Sequence, residues 1–248
     1  MAHDIEINFD RPFAVFSLPH VMLLPHVVER LLVFEPRYRQ MIEACIEEGG
    51  GALHAASPIA IASYAPKYWQ GERVALGSCA TTKEPALRRF VCVGKIFEHR
   101  RLDDGRHEVL VQGICRARIE AIEEAAAPRL YARAFLRPTE SLHRHFGTIR
   151  ALRMAILKHM EHGELRRSDA FHQIRDWLAQ EKFPAELLLE QIGSLLANGD
   201  DQRYRLLAEP SLRERARFIL SELATLDSTT RKAAARTPPP SDRGIGLN

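Results

Sequence analysis

Residues 90–122 constrain this chain more than any other stretch. Phe90–Leu102 (FVCVGKIFEHRRL) and His107–Ile122 (HEVLVQGICRARIEAI) are rich in β-branched and aromatic residues. Between them, Asp103-Asp104-Gly105-Arg106 supplies the aspartate and glycine that a tight turn requires. Two strands this long with so short a connection predict an antiparallel hairpin. On its second strand Val109, Val111, Gly113, Cys115 and Ala117 share one face. Leu110, Gln112, Ile114 and Arg116 share the other, so both sides are expected to be partly covered.

The flanks extend this β-rich pattern. Residues 11–24 (RPFAVFSLPHVMLL) read as β-structure broken by turns, with Pro19 and Pro25 at strand ends. Leu31–Phe34 is a short apolar run, and Pro36 then fits the first position of a helix, where its missing N–H costs nothing. Tyr38, Met41, Ile42 and Cys45 follow at helical spacing, and Gly49-Gly50-Gly51 stops them. ALHAASPIAIASY and RVALGSCA read as strands around the loop APKYWQGE, 81–89 as a polar loop, and Leu130–Leu136 as a last strand. From about Ser141 the apolar period changes to nearly four. Phe146, Ile149, Leu152, Ile156, Leu157 and Met160 form one stripe, and Phe171, Ile174, Trp177 and Leu178 another. Leu187, Leu188, Ile192, Leu195 and Leu196 form a third, and the final helical portion covers Tyr204–Ala208 and Ser211–Leu226. Strands first and helices second indicate an α+β fold with segregated layers. The expected plan is a β-rich module over 11–140, a helical bundle over 141–227 and a proline-rich, disordered tail over 228–248.

Charge narrows the function classes. The formal excess of +3 equals that of the segment from Ser228 onward, where Arg231, Lys232, Arg236 and Arg243 oppose only Asp242, so the rest is neutral. A neutral body argues against a phosphate-neutralising groove for nucleic acid. No apolar run is long enough to cross a membrane, and the start, MAHDIEINFD, lacks a secretory core, so a cytoplasmic protein is expected. Cys45, Cys79, Cys92 and Cys115 are scattered without metal-ligand spacing and read as reduced core thiols.

The combination resembles one family. Leu18-Pro19, Leu23-Leu24-Pro25, Phe34-Glu35-Pro36-Arg37-Tyr38, and the hairpin's Val93-Gly94, Asp104-Gly105, Val111, Gly113, Arg116 and Arg118 stand in the order found in the N-terminal substrate-binding domain of Lon-type proteases. The similarity extends from about Phe13 to Leu226. It implies a PUA-like β pseudo-barrel with an embedded helix, followed by a C-terminal α-helical bundle. It also implies a role in holding unfolded or partly folded polypeptides or a partner protein. The chain resembles a stand-alone member. Its only Gly-Lys, Gly94-Lys95, lies mid-strand outside any phosphate-loop pattern, and no Ser-Lys protease segment or H-E-x-x-H appears. No enzymatic activity and no cofactor are therefore expected.

Within that frame, the interaction-site candidates are Tyr64, Tyr68 and Trp69 in SYAPKYWQGE, since aromatic side chains dominate binding hot spots. Their alternative role is to close one end of the barrel. Glu35 and Arg37 at the first helix start either touch a partner or pair locally. His143, His145, His159 and His162 are metal ligands only if other donors converge, and otherwise polar helix surface. Arg100, Arg101, Arg106, Arg116 and Arg118 would suit RNA, the rival function for a PUA-like fold. Glu98, Asp103, Asp104, Glu108 and Glu120 are interleaved with them, which predicts a solvated mixed-charge face instead.

Overall fold

The structure, a computed structural model, describes residues 7–76, 86–139, 153–158, 172, 175–176 and 184–236. Eight strands come first: β1 Phe13–Leu18, β2 Val28–Val33, β3 Ile59–Ser63, β4 Arg73–Val74, β5 Leu87–Arg88, β6 Phe90–Arg101, β7 His107–Glu123 and β8 Arg133–Pro138. Helix α1 (Pro36–Glu48) is embedded among them. Three helices follow: α2 Ala185–Leu196, α3 Asp200–Ala208 and α4 Leu212–Arg236. Residues 153–158 are also helical. No described helix is long and apolar enough to cross a membrane.

The hairpin β6–β7 is the frame. β6 pairs with β3, β3 runs parallel to β1, β1 pairs with β8, and β8 returns to the second half of β7. These five strands close a barrel and so remove most of their own edges. The first half of β7 extends past the barrel and pairs with β2 from Val28↔Gln112 to Val33↔His107. Ile114 is the extra residue of a bulge, because Val93 pairs with Cys115 and Gly94 with Gly113. That bulge corrects the expected alternation. Val109 and Val111 join α1 in one core, whereas Ala117 and Ile119 line the barrel with Val15, Ala60, Val91 and Val93.

The leucine-proline segment is locked onto this bulge. The His26 N–H donates to the Gly113 carbonyl (2.8 Å) and the Gly113 N–H to the Val27 carbonyl (2.9 Å). A Cβ on residue 113 would stand 2.1 Å from the Leu24 carbonyl oxygen, so only glycine fits. Helix α1 starts at Pro36 as expected and buries Tyr38, Met41, Ile42 and Cys45. It ends where Gly50 and Gly51 take positive φ.

The helical part follows the barrel as expected and packs on it. Tyr204, Leu206 and Leu207 of α3 sit in the same core as the strands and α1. Leu188, Leu189, Ile192 and Leu196 of α2 pack with Ile156 and with Ala216, Ile219 and Leu223 of α4. Leu195, expected within the apolar stripe, is exposed instead. Helix α4 also runs past the expected start of the tail at Ser228. Lys232 and Ala233–Ala235 favour helix, and Arg231 pairs with Asp227 one turn earlier at 2.7 Å. Most of the two expected stripes over 146–160 and 171–178, and the expected tail from 237 onward, lie outside the described residues.

The largest correction concerns Arg116. Rather than facing solvent with the other hairpin arginines, it is 1% exposed. Its guanidinium meets Glu190 of α2 (2.5 Å, 2% exposed) and donates to the Leu206 carbonyl at the end of α3 (3.3 Å). Glu190 also meets Arg215 of α4 at 3.1 Å, and Arg215 donates to the Glu209 (2.8 Å) and Pro210 (3.0 Å) carbonyls. Buried charges persist only when paired and hydrogen-bonded. Removing the central carboxylate leaves two buried cations facing each other's site, so Glu190→Ala should lower the unfolding free energy by about 3–5 kcal/mol. Replacing Arg116, Glu190 and Arg215 together by Met, Leu and Met should cost much less, as read by urea unfolding. Equal losses in the two variants would contradict this account.

Candidate polypeptide-binding surface

Two surfaces compete for the role of a site, and the aromatic loop is the first. Arg73 staples it, donating to the Pro66 (3.2 Å), Lys67 (3.0 Å) and Trp69 carbonyls. Trp69 turns inward. Its ring lies 4.2 Å from the Arg88 guanidinium carbon, which also stands 4.7 Å from the Tyr204 ring, and the two rings meet edge to face at 5.1 Å. Arg88 is buried and reaches Asp201 at 2.5 Å. Residue 88 falls within the expected polar loop 81–89, yet Leu87 and Arg88 form β5 and the arginine lies between two rings, where desolvation strengthens the cation–π contact. Tyr64 is half-buried, its hydroxyl 3.1 Å from the Ser17 hydroxyl, which also meets the Tyr38 hydroxyl at 2.7 Å. Tyr68 alone of the three points out, at 67% exposure.

Glu35 and Arg37 pair with each other at 2.8 Å, and the Arg37 guanidinium covers the Tyr38 ring at 4.5 Å. Glu35 occupies the residue before α1 without capping it through its side chain. Burial raises the Tyr38 hydroxyl's pKa, so it stays protonated and can donate to the Ser17 carbonyl (2.7 Å). The structure therefore gathers Tyr64, Arg37 and Tyr38 around Ser17, and ties Trp69 to α3.

The second surface was not singled out from the sequence. β2 pairs with β7 alone among the described strands, leaving its other edge unpaired there. Val28, Arg30 and Leu32 alternate outward along it, and Phe34 just beyond is 63% exposed. Across the sheet Arg30 stands opposite Leu110, and a second bulge sets Phe97 and Glu98 together against that leucine. Phe97 is exposed as a result. Glu108 draws Arg30 (3.0 Å) and Arg100 into ion pairs within this face, and these hold its carboxyl below the usual range, Arg100 first. The signal was present in the sequence: VERLLVF alternates around Leu31 and Val33, but read as an apolar run it concealed an outward-facing half.

Elsewhere on the hairpin Arg106 pairs with Asp104 at 2.6 Å and Arg118 with Glu120 at 2.6 Å. At the hairpin's end buried His107 stands 3.1 Å from His99 and 3.3 Å from Glu43, and burial keeps both histidines' pKa values low. Among the described residues no three His, Cys, Asp or Glu side chains form a metal-binding group. His143, His145, His159 and His162 lie outside them.

The family follows from comparison. The model of the ATP-dependent protease La (LON) substrate-binding domain matches residues 13–225, and the chain belongs to that family. Two solved structures share its fold. The N-terminal domain of the Mycobacterium avium complex Lon protease is 16% identical, with a TM-score of 0.59 over 86% of this chain and 98% of that one. A Lon N-terminal domain protein from Xanthomonas campestris is 17% identical, with a TM-score of 0.53 over 92% and 99%. A sequence comparison with curated proteins gives no match.

The different fates of the loop's aromatics are measurable. Trp69→Ala should cost about 3 kcal/mol of stability, as truncation of a packed aromatic does. Tyr68→Ala should fall within about 0.5 kcal/mol of the parent. Urea titrations compare them, and a destabilised Tyr68 variant beside an unaffected Trp69 variant would contradict the packing described.

Proposed function

We propose that this chain is a non-catalytic recognition module that takes up unfolded or partly folded polypeptide in extended form on the free edge and outer face of β2. Membership in a substrate-binding family makes polypeptide the expected class of partner. The observation that carries the reading is a strand edge unpaired among the described residues and lined by Val28, Leu32 and Phe34, with Phe97 beside it. An edge strand offers a row of backbone donors and acceptors, and soluble proteins usually guard such edges because extended chains pair with them. Added as a strand, a client would gain affinity from backbone hydrogen bonds and selectivity from the apolar side chains it meets at alternate positions. Tyr64, Tyr68, Trp69, Glu35 and Arg37 remain secondary contact candidates, Tyr68 the most exposed of the three aromatics.

Such a module would serve as an adaptor or a chaperone-like factor in protein quality control, in the cytoplasm. The rival RNA function is weakened by the hairpin's charge, since Arg30 and Arg100 are held by Glu108, Arg106 by Asp104 and Arg118 by Glu120. Phosphate recognition needs cations whose partners are counterions it can displace.

Leu32→Lys combined with Phe34→Lys tests the reading. Binding of a carboxymethylated, permanently unfolded protein, followed by anisotropy, should weaken by about tenfold or more, as loss of hot-spot contacts does. The unfolding midpoint should stay near that of the parent, because both side chains are exposed. Unchanged affinity in a folded variant would sink the β2 site. Tight binding of single-stranded RNA that falls steeply with salt would favour the rival.

A further inference from the structure

One end of the barrel opens into a cavity of about 710 Å³. The strand register places it. Ala14 pairs with Ile59, Ile59 with Gly94, Gly94 with Gly113, and Phe13 with Ala134. At that level β1, β3 and β8 begin, while β6 and β7 pass through and bulge at Ile114. Bulges recur at barrel rims, where they widen the mouth and redirect side chains. The last turn of α1, with Cys45 and Glu48, forms the facing wall.

The charge of this mouth is lopsided. Arg11, Lys95 and Arg133 line it against a single carboxylate, Glu48. Arg133 is engaged by Glu123 at 2.9 Å, and Glu48 accepts a hydrogen bond from the Ser57 hydroxyl at 2.6 Å. Neither Arg11 nor Lys95 has an ion-pair partner among the described residues. Lys95 continues the inward alternation of Val91 and Val93, so it stands where the barrel's apolar lining gives way to the opening. Between these cations the walls are apolar, formed by Phe13, Ile114 and Tyr131.

The chemistry that fits is a carboxylate on an apolar stem. Arg11 and Lys95, unmatched among the described residues, would hold the anion at the rim, and the walls would take the stem. A phosphate dianion fits less well. The helix presents its carbonyl end and Glu48 to the mouth, and this negative charge opposes a dianion about twice as strongly as the single charge of a carboxylate. Nor is the site covalent, because burial pushes the Cys45 thiol up to about 12 and keeps it protonated.

We infer that the barrel mouth captures the C-terminal carboxylate of a client polypeptide with apolar last residues, using Arg11 and Lys95. The inference rests on the polypeptide-binding reading and adds a terminus-specific site to the edge-strand surface. Capture of a chain end is an established mode of peptide recognition, and here side-chain cations would supply the donors.

The test uses the full chain and one fluorescent hexapeptide ending in Leu-Ala-Leu, made with a free C-terminal carboxylate and as the amide. The acid should bind about tenfold more tightly than the amide, in keeping with a charged hydrogen bond. Arg11→Gln with Lys95→Gln should abolish that preference and leave amide binding unchanged. Arg11→Lys with Lys95→Arg should retain it, which separates charge from folding. Equal binding of acid and amide, or a preference that survives the glutamine substitutions, would overturn the inference. Competition by hexanoate with the affinity of the peptide acid would also overturn it, assigning the mouth to free carboxylic acids. Binding of the carboxymethylated unfolded protein is read on the same sample. If that binding persists while acid and amide bind alike, only the carboxylate site falls; if no polypeptide binds, both proposals fall.

Discussion

The barrel and the helices that follow it meet at the buried cluster of Arg116, Glu190 and Arg215. One strand of the barrel and two helices each contribute one charge. The two guanidiniums also donate to the Leu206, Glu209 and Pro210 carbonyls, where α3 ends and its positive neighbours complement the helix dipole. Desolvating such a set is expensive, and an apolar core of the same volume would be no less stable. What the charges supply is directionality. Fixed donors and acceptors allow one arrangement of β7, α2, α3 and α4, where leucines alone would tolerate several. Arg88, held between Trp69 and Tyr204 and reaching Asp201, fixes the other end of α3 in the same manner.

Among the described residues the outer face of β2 carries no other element. Helix α3 packs with α1 in the core that Val109 and Val111 share, on the inner side of the protruding hairpin. β2 hangs on the first half of β7, beyond the closed part of the barrel. A barrel that removes its own edges, carrying one strand that does not share in the closure, concentrates its pairing capacity at one place. The mouth cavity lies where the hairpin leaves the barrel, so both candidate sites trace to the length of the same two strands.

Local chemistry was legible in the sequence wherever it was decided by neighbours. The Asp104-Gly105 turn, Pro36 at the start of α1, the buried stripe of Tyr38, Met41, Ile42 and Cys45, and the glycine stop all stand as read, because each depends on residues within one or two turns. Long-range chemistry was not. Arg116 looks like its solvated neighbours Arg118 and Arg100 until Glu190, 74 residues away, arrives to neutralise it. Arg88 could not be assigned to the interior without Trp69, Tyr204 and Asp201 being brought around it. The single-residue bulge at Ile114 inverts the faces of half a strand, which alternation alone cannot reveal. Of the candidate site, the aromatics were visible as a cluster, but which of them packs and which projects was set by Arg88. The exposed half of β2 was hidden inside what reads as an apolar run.

Hydrogen–deuterium exchange on the full chain, with and without carboxymethylated unfolded protein, addresses the central claim most directly, because backbone pairing at an edge must slow amide exchange there. Added client should protect amides of Val28–Val33, with α2 and α4 unchanged. Unaltered exchange in β2, with protection confined to the helices, would contradict polypeptide uptake at the strand edge.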